Sequence, residues 1–429
     1  ISPMKRFPFL CLWVLLCLSP FLGAEVATLR LNGPVDALAQ EYLVGTLHRL
    51  QTDPQIRLIV IQLDTPGGYD TSMRAIIQEM LAAKAPVAVL ISPRGARAAS
   101  AGFFLMLAAD ITAMAPGTNA GAASPVSAMG GEIEKTMKAK VTNDAAAYIR
   151  SLARSHRRDE EWAAKAVLES LSYTAEECLE RGLIDLVAAD VPSLLAQLED
   201  REVTRPDGSR STLRLKGERI VPYPMSPRQR FLRMITNPGL AYFLLIFGLI
   251  GLYIEFTHPG TIIPGVLGGI CLLLAFLAFQ ILPVNFIGLL LILLSIGFFV
   301  AEIKVQGFGV LGVGGIASFI LGSIVLVRSP IAELRPAMSI ILTFAVCFAA
   351  VVLFLAWKAA RAMGSPVRTG VEGMIGETGI AKTEVTPAGG PVFVHGEWWR
   401  ATAKRPIAPG TPVVVSGVNR MSLTVTQGG

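Results

Sequence analysis

Leu58-Ile59-Val60-Ile61-Gln62-Leu63, running directly into Asp64-Thr65-Pro66-Gly67-Gly68, is the stretch on which the fold turns. A short run of β-branched and leucine residues closed by Pro-Gly-Gly reads as a buried strand that ends in a tight turn. Working outward, residues 27–31 and 87–91 are similar apolar runs. Residues 35–50 and 71–83 are amphipathic and helix-like, and 100–109 is a helix of small and apolar residues. Strand, helix and strand in alternation predict an α/β domain with largely parallel strands over residues 25–198. About 170 residues suffice for a real core.

The remaining sequence is far more apolar. Over the 429 residues, 52% are hydrophobic, 16% are charged and the mean hydropathy is +0.55. Disordered, collagen-like and disulfide-stapled classes are excluded, since each needs low hydrophobicity, a glycine period or dense cysteine. The net charge of +6 is spread along the chain without a run of five basic residues, so no nucleic-acid partner is expected. Of five cysteines only Cys178 falls in a soluble stretch, and no Cys/His spacing suits a metal. Neither a metal nor a cofactor is expected.

Residues 4–24 read as a secretory signal: Lys5-Arg6, an apolar stretch over 9–18, then Leu22-Gly23-Ala24. An uncleaved anchor is the alternative. Residues 199–236 form a basic connector in which Pro206-Asp207-Gly208 separates two alternating runs, as in a hairpin. Residues 237–358 hold four stretches free of Asp, Glu, Lys and Arg, over 239–254, 256–301, 305–327 and 336–357. The second breaks at Pro283, which predicts five transmembrane helices. Glu255, Gly260, Gly265, Val266 and Gly268 recur 47 residues later as Glu302, Gly307, Gly312, Val313 and Gly315, the spacing of a repeated helix pair. The two glutamates are candidates for an ion pathway or, more simply, for interfacial positions.

Five crossings from an exported start place the C-terminus in the cytoplasm, as Lys358, Arg361 and Arg368 ask. Arg228, Arg230 and Arg233, ahead of the first span, point the other way. Residues 364–429 alternate in short runs separated by Gly389-Gly390, Gly396 and Pro409-Gly410, which predicts a small all-β barrel of about five strands. Within it Trp398 and Trp399 are candidates for ligand stacking or core.

Paired glycines at 67 and 68 admit backbone angles closed to other residues and expose N–H groups to an anion, although a plain turn needs them too. Ser100, in Ala98-Ala99-Ser100-Ala101-Gly102, stands where a helix begins. There the free N–H groups favour an oxyanion, or the serine simply caps the helix.

These residues carry a resemblance. Residues 63–68, the Ser100 turn, Ala113-Met114-Ala115-Pro116-Gly117-Thr118 with Gly121-Ala122, and Thr174-Ala175-Glu176-Glu177 with Gly182-Leu183-Ile184-Asp185 resemble the ClpP-class serine proteases. The order of signal, protease-like domain, membrane block and barrel resembles the long, membrane-bound form of the NfeD family. The resemblance implies a crotonase-like spiral of β-α units, an OB-fold barrel, Ser100 as nucleophile, and the Gly68 and Ala101 N–H groups as oxyanion hole.

Soluble members of the class use a histidine base downstream of the serine, where this chain reads Ser124-Pro125-Val126-Ser127-Ala128. The four histidines, His48, His156, His258 and His395, lie elsewhere and read as solvated surface residues. A neutral lysine is the remaining base, and Lys135, Lys138 and Lys140 follow the flexible Ala128-Met129-Gly130-Gly131. Thr142 or Asn143 is expected to cap a helix over 145–154 just beyond Lys140. Lys140-Val141-Thr142-Asn143 with Ala147-Tyr148-Ile149 resembles the segment that supplies the dyad lysine in this subgroup, which favours Lys140, with Lys138 as fallback.

The implied function is a membrane-anchored serine endopeptidase on the extracytoplasmic side of the plasma (inner) membrane. It would act as a homo-oligomer on hydrophobic segments of stomatin-like (SPFH) partners. The alternative is a non-proteolytic scaffold of a stomatin-type membrane assembly. Acyl-CoA chemistry, which the crotonase scaffold also hosts, conflicts with export.

Overall fold

The structure, a computed structural model, describes residues 25–127, 134–305, 309–327, 329, 334–363 and 371–428. The expected signal over 4–24, the segment 128–133 and Arg368 lie outside the described residues. Contacts within the chain fall into two units, one ending at Cys347 and one beginning at Phe348.

In the first unit, β1 (Glu25–Asn32), α1 (Ala37–Leu50), β2 (Ile56–Asp64), α2 (Asp70–Ala82) and β3 (Val87–Ile91) repeat the strand-helix pattern read from the sequence. Next come β4 (Arg97–Ala99), α3 (Ala101–Leu107), β5 (Ile111–Met114) and β6 (Asn119–Gly121). They are followed by α4 (Lys135–Ser155), α5 (Glu160–Leu168), β7 (Ser172–Thr174), α6 (Ala175–Glu180), β8 (Leu186–Val187) and α7 (Val191–Leu198).

Five of these strands pair in parallel in the order β1-β2-β3-β5-β8, and β4-β6-β7 form a second, smaller sheet. The two layers make the spiral of β-α units expected for the domain. Alternation along β2 shows why its sequence is apolar without a polar face. Ile59, Ile61 and Leu63 enter the core shared with α1, α2 and α3, while Leu58 and Val60 enter a second core closed by α7. Each such buried side chain contributes about 1.5–3 kcal/mol.

The connector does more than link. Its hairpin, β9 (Glu202–Thr204) with β10 (Arg210–Thr212), closes around Pro206-Asp207-Gly208. β11 (Arg219–Pro222) then adds a sixth parallel strand to the free edge of β1. Tyr42 Oη donates to Tyr223 O at 2.6 Å and Tyr223 N–H to Thr28 O at 2.8 Å, fastening this edge.

α8 (Pro227–Ile235) leads into five apolar helices: α9 (Pro238–Thr257), α10 (Ile263–Phe279), α11 (Phe286–Val305), α12 (Val310–Leu326) and α13 (Met338–Met363). Pro238–Thr257 is long and apolar enough by itself to cross a bilayer, and the apolar parts of the others are shorter. Of the 47-residue repeat, Gly307 lies outside the described residues, but both glutamates bond to the chain that follows them. Glu255, at the end of α9, accepts from Gly260 N–H at 3.3 Å and from Thr261 Oγ1 at 3.0 Å. Glu302, at the end of α11, accepts from Gly309 N–H at 2.7 Å and Gly312 N–H at 3.0 Å. Each carboxylate thus meets backbone or hydroxyl donors that lead into the next helix, where a negative charge is favoured.

Two of the three arginines that opposed the expected orientation are neutralised by the soluble domain: Arg228 pairs with Glu41 and Arg233 with Asp36, both at 2.7 Å. Their charges are therefore a poor guide to sidedness.

In the second unit, β12 (Thr378–Ala381), β13 (Gly390–Val394), β14 (Glu397–Thr402), β15 (Pro412–Asn419) and β16 (Ser422–Gln427) close into a barrel of order β12-β13-β14-β16-β15. Val392, Val394, Ala401, Val413, Val415, Leu423 and Val425 fill it. Trp399 packs against this core, whereas Trp398 is exposed and meets Phe393 edge to face.

Candidate active site

The site is built where β2 stops. Thr65 N–H donates to Arg97 O at 2.7 Å and Ala99 N–H to Thr65 O at 3.1 Å, which binds the turn after β2 to β4. Thr65 Oγ1 accepts from Gly67 N–H at 3.1 Å, and Asp64 Oδ1 accepts from Arg97 N–H at 3.1 Å. These bonds hold the glycine pair beside the end of β4, where the chain turns into α3 at Ser100. Nothing in the sequence singled out Thr65 or Asp64 as braces, because a hydroxyl and a carboxylate in a Pro-Gly turn are ordinary turn residues.

Ser100 has φ 50° and ψ −118°. A residue with a Cβ reaches that region only under strain of about 1–3 kcal/mol, which such turns characteristically carry at functional positions. The expected alternative, that Ser100 caps α3, fails: its side chain makes no capping bond. Its N–H is held by Gly121 O at 2.9 Å, and its Oγ has no hydrogen-bond partner among the described residues.

Gly67 and Gly68 are required for separate reasons. Gly67 has φ 107°, and a Cβ there would lie 2.6 Å from Ser100 Cβ. On Gly68 a Cβ would lie 2.1 Å from Val35 O. The segment 67–69 is therefore pressed between the Ser100 side chain on one side and the Val35 backbone on the other. Val35 N–H donates to Gly67 O at 2.8 Å and Tyr69 N–H to Val35 O at 2.9 Å, whereas the Gly68 and Ala101 N–H groups make no hydrogen bond among the described residues. Two unpaired donors beside an unpaired hydroxyl are the arrangement an oxyanion intermediate needs.

No hydrogen bond or ion pair among the described residues joins the lysines to this cluster. α4 begins at Lys135, ten residues before the helix start expected at 145, and Glu134 precedes it, so neither Thr142 nor Asn143 is a cap. Lys-Thr-Met-Lys-Ala-Lys is compatible with helix, and nothing in it interrupts one. Lys135, Lys138 and Lys140 lie on the exposed first half of α4. No hydrogen bond or ion pair joins Lys140 Nζ to any described residue. The second half is anchored: Ala145, Ala146, Ile149 and Leu152 are buried, Arg74 reaches Asp144 at 2.6 Å, and Phe104 of α3 stacks on Tyr148.

His48 is exposed, as expected, and lies 3.3 Å from Glu79. His156 is not the solvated residue it reads as in the charged run 154–161. It ends α4, folds back so that Nδ1 lies 2.9 Å from Leu152 O, and buries an unpaired Nε2. Burial holds its pKa below the ordinary imidazole value, with the charge of Arg158 acting in the same direction. The folded protein therefore holds this ring neutral, while the unfolded chain takes up a proton near pH 6.5. Its contribution to stability is full above that pH and is lost as pH falls through it toward the lower folded pKa. Urea midpoints measured from pH 7 to pH 5 are expected to fall more steeply for the unsubstituted protein than for His156→Gln. Superimposable profiles would show that the ring is not held neutral.

Three family models match the chain: the NfeD1b N-terminal domain over residues 25–198, the NfeD integral membrane domain over 239–358 and the NfeD-like C-terminal, partner-binding domain over 371–427. The membrane-bound protease PH1510 of Pyrococcus horikoshii is 32% identical over 440 residues, which cover 99% of this chain and 98% of that protein. The membrane protein NfeD1b of Bacillus subtilis is 27% identical over 259 residues, 57% of this chain and 54% of the other. Among solved structures, the 1510-N membrane protease specific for a stomatin homolog from Pyrococcus horikoshii is 29% identical. It covers 50% of this chain and 98% of its own, with a TM-score of 0.43.

Proposed function

Because the chain belongs to the NfeD family in its long, membrane-bound form, we propose that it is a membrane-anchored serine endopeptidase with a Ser100–Lys140 dyad. The observation that carries this reading is the strained Ser100 turn, whose hydroxyl adjoins the N–H groups of Gly68 and Ala101, all three without a hydrogen-bond partner among the described residues. Ser100 Oγ attacks a peptide carbonyl while neutral Lys140 takes its proton and returns it to the leaving amine. Water then releases the acyl-enzyme, and the two N–H groups hold the oxyanion at both stages.

Substrates are hydrophobic segments of membrane-associated proteins, with stomatin-like proteins foremost, given what a solved relative acts on. The apolar helices are read as five spans that leave the protease domain outside and the barrel in the cytoplasm. Self-association supplies what the single chain lacks. Met137 and Val141 are exposed on the same bare half of α4 as Lys140, and a second copy packed there would steer that arm toward a Ser100.

That bare arm is also the one observation that favours a scaffold, which has no use for a dyad. The test is cleavage of a hydrophobic peptide library by the full chain in nanodiscs, with cut sites read by mass spectrometry. Lys140→Ala is expected to lower cleavage by about 10²–10⁴-fold, the usual range for a general base, and Lys138→Ala by little. The reverse pattern moves the base to Lys138. A folded, assembled protein that cuts nothing is the scaffold.

A further inference from the structure

α8 stands between the soluble domain and the first membrane helix. Asn237 caps α9, with Leu240 N–H donating to its Oδ1 at 3.1 Å, so α8 and α9 meet with almost no slack. On the other side α8 is tied to α1 by two arginines that are not equivalent. Arg228 donates at 2.7 Å to Glu41 on the exposed side of α1. Arg233 donates at 2.7 Å to Asp36, whose side chain is only 6% exposed and which also caps α1 through Ala39 N–H at 2.8 Å. A second nitrogen of Arg233 reaches Pro34 O at 3.5 Å.

Asp36 and Pro34 belong to a strap, residues 33–36, on which the glycine pair rests. Gly33 N–H donates to Asp64 O at 2.9 Å, and the two bonds of Val35 to Gly67 and Tyr69 complete the seam. Because a Cβ on Gly68 would strike Val35 O, no side chain lies between strap and glycine to absorb a shift. Beside the Arg233 pair is a cavity of about 270 Å³, lined by Asp36, Tyr69 and Arg233 together with Pro238 at the start of α9 and with Leu282 and Leu334 from the connections after α10 and before α13. At this point the ion pair, rather than close packing, joins the strap to the root of α9.

We propose that Arg233 is a positioning residue that fixes the strap to the root of the first membrane helix and thereby aims the Gly68 N–H. This rests on the reading of Ser100 as nucleophile and Gly68 as oxyanion donor. An oxyanion donor acts within a narrow range, about 2.7–3.1 Å, so a strap free to relax by a fraction of an ångström weakens it. Arginine suits the task because its planar fork spans a carboxylate and a carbonyl, which a lysine ammonium does not.

Two readouts on the full chain in nanodiscs separate this inference from the one beneath it: steady-state cleavage of a hydrophobic peptide, and amide exchange at Val35 and Tyr69. Arg233→Met is expected to lower kcat by about 10–100-fold with KM little changed, a part of what losing one oxyanion donor costs. It is also expected to speed exchange at both amides about tenfold. Asp36→Asn, which keeps the Oδ1 cap on α1, should reproduce both effects, Arg233→Lys should fall between, and Arg228→Met should leave both readouts unchanged. Unchanged exchange in Arg233→Met overturns the inference whether or not the protein cleaves. So does faster exchange with unchanged kcat, or an equal loss in Arg228→Met. Faster exchange in Arg233→Met, together with an unsubstituted protein that cuts no peptide, retains the clamp and overturns the assignment of Ser100 instead.

Discussion

Ser100→Ala in the full chain is expected to abolish peptide cleavage while leaving the unfolding midpoint unchanged. The activity half follows from chemistry: no other group in the turn replaces the hydroxyl, and removing the nucleophile of a serine protease costs on the order of 10⁶ in kcat. The stability half follows from geometry. Ser100 Oγ makes no hydrogen bond among the described residues and does not cap α3, so its loss orphans no partner there. Alanine keeps the Cβ and with it the strain at φ 50°. Ser100→Gly separates the two effects further, because glycine adopts a positive φ without penalty. That variant is expected to be inactive yet more stable, by up to the strain of about 1–3 kcal/mol. Progress curves for cleavage and thermal scans on the same samples check both halves. Cleavage persisting in folded Ser100→Ala removes Ser100 from the mechanism. A large loss of stability in that variant instead assigns the hydroxyl a structural bond.

Why the serine was legible and its supports were not is a matter of range along the chain. Residues 58–68 announce a buried strand and a tight turn by local composition, and Ser100 opens an apolar helix of small residues, so both could be placed from their neighbours alone. The 47-residue recurrence of Glu255 as Glu302 was equally visible, and the structure gives the pair matching roles at the starts of α10 and α12. By contrast, β11 is a strand only because β1 lies beside it, and the two are joined across nearly the whole domain. Asp36 and Arg233 are 197 residues apart, and nothing near either predicts the other. A charged run makes His156 read as solvated, whereas the helix end lets its ring fold back onto Leu152. Capping signals at Thr142 and Asn143 were real local preferences overridden by a helix already under way from Lys135.

Arg158→Met is expected to be strongly destabilising, at about 3 kcal/mol, because it removes a buried guanidinium together with its charge-assisted hydrogen bonds to a carbonyl and to the half-buried Asp185. The side chain of Arg158 is 4% exposed and that of Asp185 29%. One nitrogen donates to Leu107 O at 2.8 Å and Met106 O at 3.3 Å, which are terminal carbonyls of the helix that Ser100 opens. Another lies 3.2 Å from Asp185, whose carboxylate also accepts from Thr112 N–H at 2.7 Å at the start of the β5 region. The guanidinium thus closes the end of α3, where the helix field favours a positive charge, and neutralises a carboxylate that holds β5. Methionine fills much of the volume but removes the donor to Leu107 O, while Met106 O keeps Thr112 Oγ1 at 2.8 Å, and among the described residues it leaves Asp185 with only Arg201, at 3.5 Å, as a cation. Against a whole-domain stability of about 5–15 kcal/mol such a loss approaches unfolding at physiological temperature. A double-mutant cycle discriminates the cause. Asp185→Asn alone should also destabilise, because it leaves Arg158 buried without its counter-ion. The Arg158→Met, Asp185→Asn double variant should cost less than the sum of the two by at least about 1 kcal/mol, since neither charge is then stranded. Strict additivity in urea unfolding would mean that the two side chains act separately, and that the end of α3 is held by packing rather than by this pair.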